Sequence, residues 1–322
     1  MPLPKTKNVP LDGVDSPLEF RAGYPDYEMP KQKVLILGNA GQLGRELMKE
    51  FAGRGWVVTG LDRAEIDIAN RFQVEECIAA IDPHWVINAA AYNQVDVAER
   101  EPHPAFAVNA LAVKNVAVAC RQVDARLVHY STDYVFDGTA GRPYTEEDPP
   151  RPLGAYGVSK LAGEMFAHAY LDDPLIIRTS GVFGPGGLHT ARGNFVELML
   201  RLASSGRPIR VVEDHVASPT YAPWLAARTA DLVEKGLTGL FHIGGGWPVS
   251  WFDFARMIFQ AAGLSPQLQP TNEREYRTEA RRPKYSALSN AKMEAAGLAP
   301  MPPLEEALRD YFERRPKESP RG

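Results

Sequence analysis

The stretch VLILGNAGQLGREL, residues 34–47, runs from an apolar segment through glycines at 38, 41 and 44 into an amphipathic one. VLIL reads as a buried strand, and the residues from Gly44 onward carry helical periodicity. A strand, a G-x-x-G-x-x-G turn and a helix, in that order, give a glycine triplet its context. Lacking side chains, the turn lets the backbone approach a pyrophosphate, while the helix start offers free N–H groups and the positive end of its dipole. Gly38, Ala40, Gly41, Gln42, Leu43 and Gly44 are therefore the candidate cradle of a dinucleotide.

Working outward, the next apolar strand, WVVTGL (56–61), ends at Asp62. Its carboxylate could accept hydrogen bonds from an adenosine ribose and so favours NADH, whereas Arg63 beside it could meet the extra phosphate of NADPH. Asp67 and Ile68, in EIDIAN, lie where an adenine could be received. Ala89, Ala90 and Ala91 follow a third strand, WVIN (85–88), and their small side chains permit close approach of the cofactor.

RLVHYS (126–131) and LIIRTS (175–180) complete the buried strands, and GRELMKEFAG, RFQVEECIAAI, HPAFAVNALAVKNVAVACRQV and GVSKLAGEMFAHAY between them read as helices. That alternation predicts the α/β class, a Rossmann-type doubly wound parallel sheet with right-handed crossovers, and ligands at the carboxyl ends of its strands. After Thr179 the rhythm loosens into a Gly/Pro-rich loop, a helix NFVELMLRLASSG, a strand IRVV, helices near 221–236 and 251–262, and a final amphipathic helix. We read this as a smaller C-terminal substrate-binding lobe. The expected division is an irregular extension at 1–30, an NAD(P)-binding domain at 31–180 with returning segments near 212–247, a substrate lobe at 181–211 and 248–316, and a frayed tail at 317–322.

At 322 residues and 44% hydrophobic, the chain can bury one large core or two modest ones. A net charge of −4 and the lack of a long Lys/Arg run argue against nucleic acid as a partner. Cys77 and Cys120 have no close Cys/His spacing for zinc and read as reduced thiols, so no metal ligand set is expected from them. The proline-broken N-terminus has no signal-peptide core, and no stretch approaches the roughly 20 apolar residues of a membrane helix. A cytoplasmic location is expected.

The segment YGVSK sets Tyr156 and Lys160 on one helical face, and YSTDYVFDG ends the preceding strand so that Thr132 and Asp133 emerge at its carboxyl edge. These groups suit hydride transfer to a ketone. A phenol of ordinary pKa, about 10, is protonated at neutral pH and can donate to the oxygen, and a nearby ammonium lowers the cost of the tyrosinate left behind. Tyr156 is thus the candidate donor and Lys160 the supporting charge, while Thr132 holds the oxygen as charge develops. Asn109, on the long helix before this strand, is expected to support a water chain that returns protons to the lysine.

GQLG (41–44), NAAAYNQVDVAE (88–99), VHYSTDYVFDG (128–138), YGVSKLAGE (156–164), SPTYAPWLA (218–226) and RRPKYSALSNAK (281–292) together carry a resemblance. From about Lys33 to Phe312 the chain resembles the extended short-chain dehydrogenase/reductases, and within them the dTDP-4-dehydrorhamnose reductase family. The resemblance implies NADPH- or NADH-dependent reduction of the C4 ketone of dTDP-4-dehydro-L-rhamnose. It matches Thr132, Tyr156 and Lys160 to the catalytic trio, Val95, Asp96 and Asp133 to residues near the sugar, and Arg282 to a position used against the nucleotide-sugar diphosphate. Some relatives bind Mg2+ at a dimer contact through glutamates, and Glu46 lies in a comparable position. The implied partner is a dTDP-sugar, with a homodimer open, and neither nucleic acid nor membrane.

Tyr134 stands where a 4,6-dehydratase of this kind carries a glutamate, so elimination lacks its base. An epimerase or another 4-ketoreductase of the same fold remains an alternative, as does a non-catalytic subunit resembling the methionine adenosyltransferase β subunit. Asn93, Gly181 and LHTAR (188–192) depart from the family pattern, and Gly181 is expected to remove a wall from the sugar pocket.

Overall fold

The computed structural model describes residues 31–190 and 193–315, so the extension 1–30, the tail 317–322 and part of LHTAR lie outside the described residues. Along the chain the strands are β1 (Lys33–Leu37), β2 (Val57–Leu61), β3 (Trp85–Asn88), β4 (Arg126–Thr132), β5 (Leu175–Thr179), β6 (Ile209–Val212), β7 (Val216–Ala217), β8 (Gly239–His242), β9 (Val249–Ser250) and β10 (Leu268–Thr271). The helices are α1 (Gln42–Gly53), α2 (Arg71–Ile81), α3 (Val95–Arg100), α4 (Pro102–Phe106), α5 (Ala112–Gln122), α6 (Ala155–Tyr170), α7 (Phe195–Ala203), α8 (Ala222–Glu234), α9 (Trp251–Ala261), α10 (Ala291–Ala295) and α11 (Leu304–Arg314).

Six strands form one sheet in the order β2-β1-β3-β4-β5-β8, every pairing parallel. Val34, Ile36, Leu47, Phe51 and Leu225 fill one face beneath α1 and α8, and Leu35, Leu37, Ile78, Val113 and Ile176 fill the other beneath α2 and α5. Burial on both faces explains why the strands read as unbroken apolar runs rather than as alternating ones. The chain leaves β1 for β2 on one side and returns to β3 on the other, which makes the carboxyl ends of β1 and β3 the switch point where such sheets bind ligands.

The short strands β7, β9 and β10 were not expected from the sequence, and two further elements at the central sheet differ from its reading. The sixth strand, Gly239–His242, was not among the expected strands: GLFH is short, and only its last two residues are buried. The expected single helix over 103–123 is interrupted by a π turn at Ala107–Leu111, which buries Asn109. An inserted residue of this kind leaves the apolar periodicity on either side intact, so the pattern does not reveal it.

A further core gathers Phe183, Val196, Met199, Phe254, Leu308 and Tyr311 from α7, α9, α11 and the segment after β5. The parallel pair β6–β10 borders it. Contacts group Gln32–Gly322 into a single unit. Asn70, Asn194 and Ser250 cap α2, α7 and α9 by accepting from backbone N–H groups of the first turns, the role that suits short polar side chains there.

Candidate active site

At the switch point the glycine loop allows no substitute at two positions. Gly38 has φ +84°, and a Cβ on it would lie 2.8 Å from the Ala90 nitrogen; one on Gly44 would lie 2.2 Å from the Gly38 carbonyl oxygen. The turn is therefore drawn tight against Ala89 and Ala90. α1 begins at Gly41 with no side-chain cap, which leaves its first-turn N–H groups for an anion. These features fit the pyrophosphate of a nicotinamide dinucleotide. Gln42, instead of facing solvent, donates its amide to the Val182 carbonyl at 2.8 Å.

Asp62 and Arg63 sit together just past β2. One Asp62 oxygen accepts from the Ala64 N–H at 2.7 Å, while Arg63 is exposed. Asp67 closes a small turn by accepting from the Ala69 N–H at 3.0 Å, and Ile68 is buried in the core under α2 and α5. Ala91 is exposed, and Ala89 and Ala90 are half-buried at the carboxyl end of β3.

β4 delivers Thr132 and Asp133 to the same edge, and α6 brings Tyr156 and Lys160 against them. Thr132, Asp133 and Lys160 are buried, and Tyr156 is half-buried. The Thr132 hydroxyl lies beside the phenol and favours its ionised form. Burial outweighs it and pushes the Tyr156 phenol up to about 12, so it is a donor throughout the physiological range. Lys160 Nζ donates to the Tyr130 carbonyl at 2.5 Å, and burial brings its ammonium down to about 8. No residue of α6 caps its own N-terminus; Glu99 of α3 does so, accepting from the Ala155 N–H at 2.7 Å.

Asp133 accepts from three hydroxyls: Thr132 at 3.1 Å, Ser180 at 2.8 Å and Ser286 at 2.6 Å. Burial raises its carboxyl to about 6 against these bonds. It ties the ends of β4 and β5 to the segment around Ser286, so its oxygens face hydroxyl partners of the protein itself. Asn109 holds the Tyr92 backbone at both its N–H (2.8 Å) and its carbonyl (2.9 Å) and donates to the Ser159 hydroxyl at 3.0 Å.

Asp96 and Arg282, expected separately near the sugar and the diphosphate, bind each other through two bonds of 3.0 and 2.7 Å. The Arg282 guanidinium also lies near the Tyr134 hydroxyl, and the Tyr134 ring meets that of Tyr156 edge-on, centroids 5.9 Å apart. Val95, at the start of α3, lines a small opening with Tyr134, Tyr156 and Arg281. The wall expected to be missing at Gly181 is supplied from elsewhere. Gly181 adopts φ +49°, and the Trp251 ring stands 3.0 Å from the place a Cβ would take.

Ser159, Ser180, Ser286, Tyr134, Glu99 and Trp251 were not among the sequence candidates. Ser159 and Tyr134 carried a local signal, through their places beside Lys160 and Asp133; the others act across long separations. The Mg2+ expectation is corrected: Glu46 is buried and pairs with Lys49 at 2.9 Å, and among the described residues no group of three or more His, Cys, Asp or Glu side chains could hold a metal. No described helix is long and apolar enough to cross a membrane.

The family model described as RmlD substrate binding domain matches residues 32–316. A dTDP-4-dehydrorhamnose reductase of Mycolicibacterium smegmatis is 40% identical over 283 residues, covering 87% of this chain and 84% of the relative. The spore coat polysaccharide biosynthesis protein SpsK of Bacillus subtilis is 38% identical over 283 residues, covering 88% of this chain and 98% of the relative. The crystal structure of a dTDP-4-dehydrorhamnose reductase from Bacillus anthracis in complex with NADP is similar at a TM-score of 0.83 and 37% identity, covering 88% of this chain and 99% of that one.

Proposed function

The chain belongs to the RmlD substrate binding domain family, and from that membership and the site's geometry we propose that it reduces the C4 ketone of a dTDP-deoxysugar, turning dTDP-4-dehydro-L-rhamnose into dTDP-L-rhamnose. The chain is an NAD(P)H-dependent oxidoreductase. The observation that carries the reading is the Tyr156 phenol set beside the Thr132 hydroxyl at the carboxyl edge of the sheet, with Lys160 one helical turn on.

When bound, the dihydronicotinamide supplies the hydride. Gly38, Ala40, Gly41, Gln42, Leu43 and Gly44 would hold the pyrophosphate, Asp62 would meet the adenosine ribose and Arg63 the extra phosphate of NADPH, and Asp67, Ile68 and Ala89 to Ala91 would border the cofactor. Thr132 donates to the ketone oxygen as it becomes negative, and Tyr156 gives that oxygen its proton. The Lys160 ammonium stabilises the tyrosinate until a proton returns. Asn109 acts at one remove by fixing Ser159 beside the lysine. Val95 and Asp96 border the sugar, Asp133 shapes its pocket, and Arg282, its fork held by Asp96, brings its positive charge to the diphosphate.

On the same reading, residues 31–180 with returning segments near 212–247 serve the cofactor, and 181–211 with 248–316 serve the sugar. The enzyme works in the cytoplasm, and a homodimer is compatible with it. The test is to mix pure protein with the ketosugar nucleotide and NADPH or NADH and follow the loss of reduced-nicotinamide absorbance. Oxidation that depends on the sugar supports the reading; no oxidation with either cofactor rejects it.

A further inference from the structure

Glu164 and Arg178 form the most enclosed ion pair among the described residues, with side chains 7% and 4% exposed. Arg178 Nε and Nη2 donate to the two carboxylate oxygens at 2.9 and 2.7 Å. The reaction scheme above uses neither residue. A pair this deep repays its desolvation only with good geometry, and a close-packed apolar pair often serves stability as well. Its position gives it a different value. Glu164 lies one helical turn beyond Lys160 on the same face of α6, and Arg178 is the β5 residue paired with Ser131 of β4.

The groups facing Lys160 come from three elements. From β4 come the Tyr130 carbonyl, which takes one ammonium proton, and His129, which burial and the lysine charge hold neutral. From α6 come Tyr156 and Glu164. β5 contributes Arg178, which stands behind Glu164 over the Phe136 ring at 5.2 Å. Asp133 faces Tyr156 and is engaged by its three hydroxyls. Glu164 is thus the acid that acts on the lysine, against its burial.

We propose that Glu164, anchored by Arg178 through both oxygens, is a positioning residue that keeps Lys160 protonated while Tyr156 gives up its proton. The anchoring matters because a free carboxylate one turn away could swing onto the ammonium and draw it from the phenol. Held by Arg178, it acts through space only. This inference rests on the reductase reading.

The test is the pH profile of kcat for sugar-dependent NADPH oxidation by the full-length enzyme. It compares wild type, Glu164→Gln, the double variant Glu164→Gln/Arg178→Met, which leaves no unpaired buried charge, and Glu164→Asp, which keeps a charge for Arg178 but draws it away from Lys160. The basic limb is expected to move down by about one pH unit in the charge-removing variants, roughly a tenfold loss on that limb. Glu164→Asp is expected to fall between them and wild type, and NADPH affinity should hold. A folded double variant or Glu164→Asp variant whose limb coincides with that of wild type overturns the inference. A wild-type enzyme that oxidises no cofactor fails the reductase reading instead, so the two failures are distinct.

Discussion

Arg282 grips Asp96 through both carboxylate oxygens, at 3.0 and 2.7 Å, and holds that carboxyl below the usual carboxylate range. The same strand of chain is tied to α3 a second time by Arg100 and Glu279 at 2.9 Å. Both outer nitrogens of the guanidinium are engaged on Asp96, in two parallel bonds that an ammonium cannot reproduce. Arg282→Lys is therefore expected to raise KM for the dTDP-sugar about tenfold while kcat changes little, and steady-state kinetics with varied sugar checks it. Because Asp96 stays ionised further into acid than a free carboxyl, KM in the wild type should hold down to about pH 5.

The glycine loop makes a graded prediction. A Cβ on Gly44 would meet the Gly38 oxygen at 2.2 Å, whereas one on Gly41 finds its nearest neighbour at 3.3 Å. Gly44→Ala should cost about 1–3 kcal/mol of stability and abolish measurable NADPH binding, while Gly41→Ala should fold normally. Thermal midpoints and a fluorescence titration with NADPH distinguish the two; equal behaviour would mean the turn has slack.

The raised Asp133 carboxyl gives a pH-dependent stability. Its folded value, about 6, lies above the ordinary value of about 3.9, so the folded state binds the proton more tightly than the unfolded one. Stability from this group is present at low pH and is lost as pH climbs from about 4 through about 6, on the order of 3 kcal/mol in all. Asp133→Asn removes the titration, so the stability of wild type minus variant should fall across that window and stay flat above pH 7. Urea unfolding at several pH values reads it, and a flat difference from pH 4 to 7 would contradict the burial of the charge.

Gly181 and Trp251 should behave as one unit. Gly181→Ala alone meets both a left-handed φ of +49° and the Trp251 ring at 3.0 Å. Trp251→Ala alone leaves a gap beside Phe195, whose ring lies 4.7 Å from the indole. In a double-mutant cycle on thermal stability the combined loss should be smaller than the sum by about 0.5 kcal/mol or more, and strict additivity would show that the two do not touch.

How far the sequence spoke follows from the range of each interaction. β1, the glycine turn and α1 are contiguous, and strands buried on both faces announce themselves as apolar runs, so five of the six sheet strands were legible. Gly239–His242 was not, because GLFH offers only two buried residues, unlike the fully buried WVIN, and becomes a strand by pairing with β5. In the site, Tyr156 and Lys160 share a helix and could be paired on paper. Asp133 could not be understood there, since Ser286 is 153 positions away. Nor could the missing side chain at Gly181 be matched to Trp251, which belongs to α9.

The Tyr156 hydroxyl, set beside Thr132, is the group proposed to protonate the ketone oxygen. The most direct measurement is single-turnover NADPH oxidation by Tyr156→Phe with saturating dTDP-4-dehydro-L-rhamnose, beside an NADPH titration of the same variant. We predict unchanged NADPH affinity and a rate lowered by about 100-fold or more. A variant that turns over at the wild-type rate would contradict the claim.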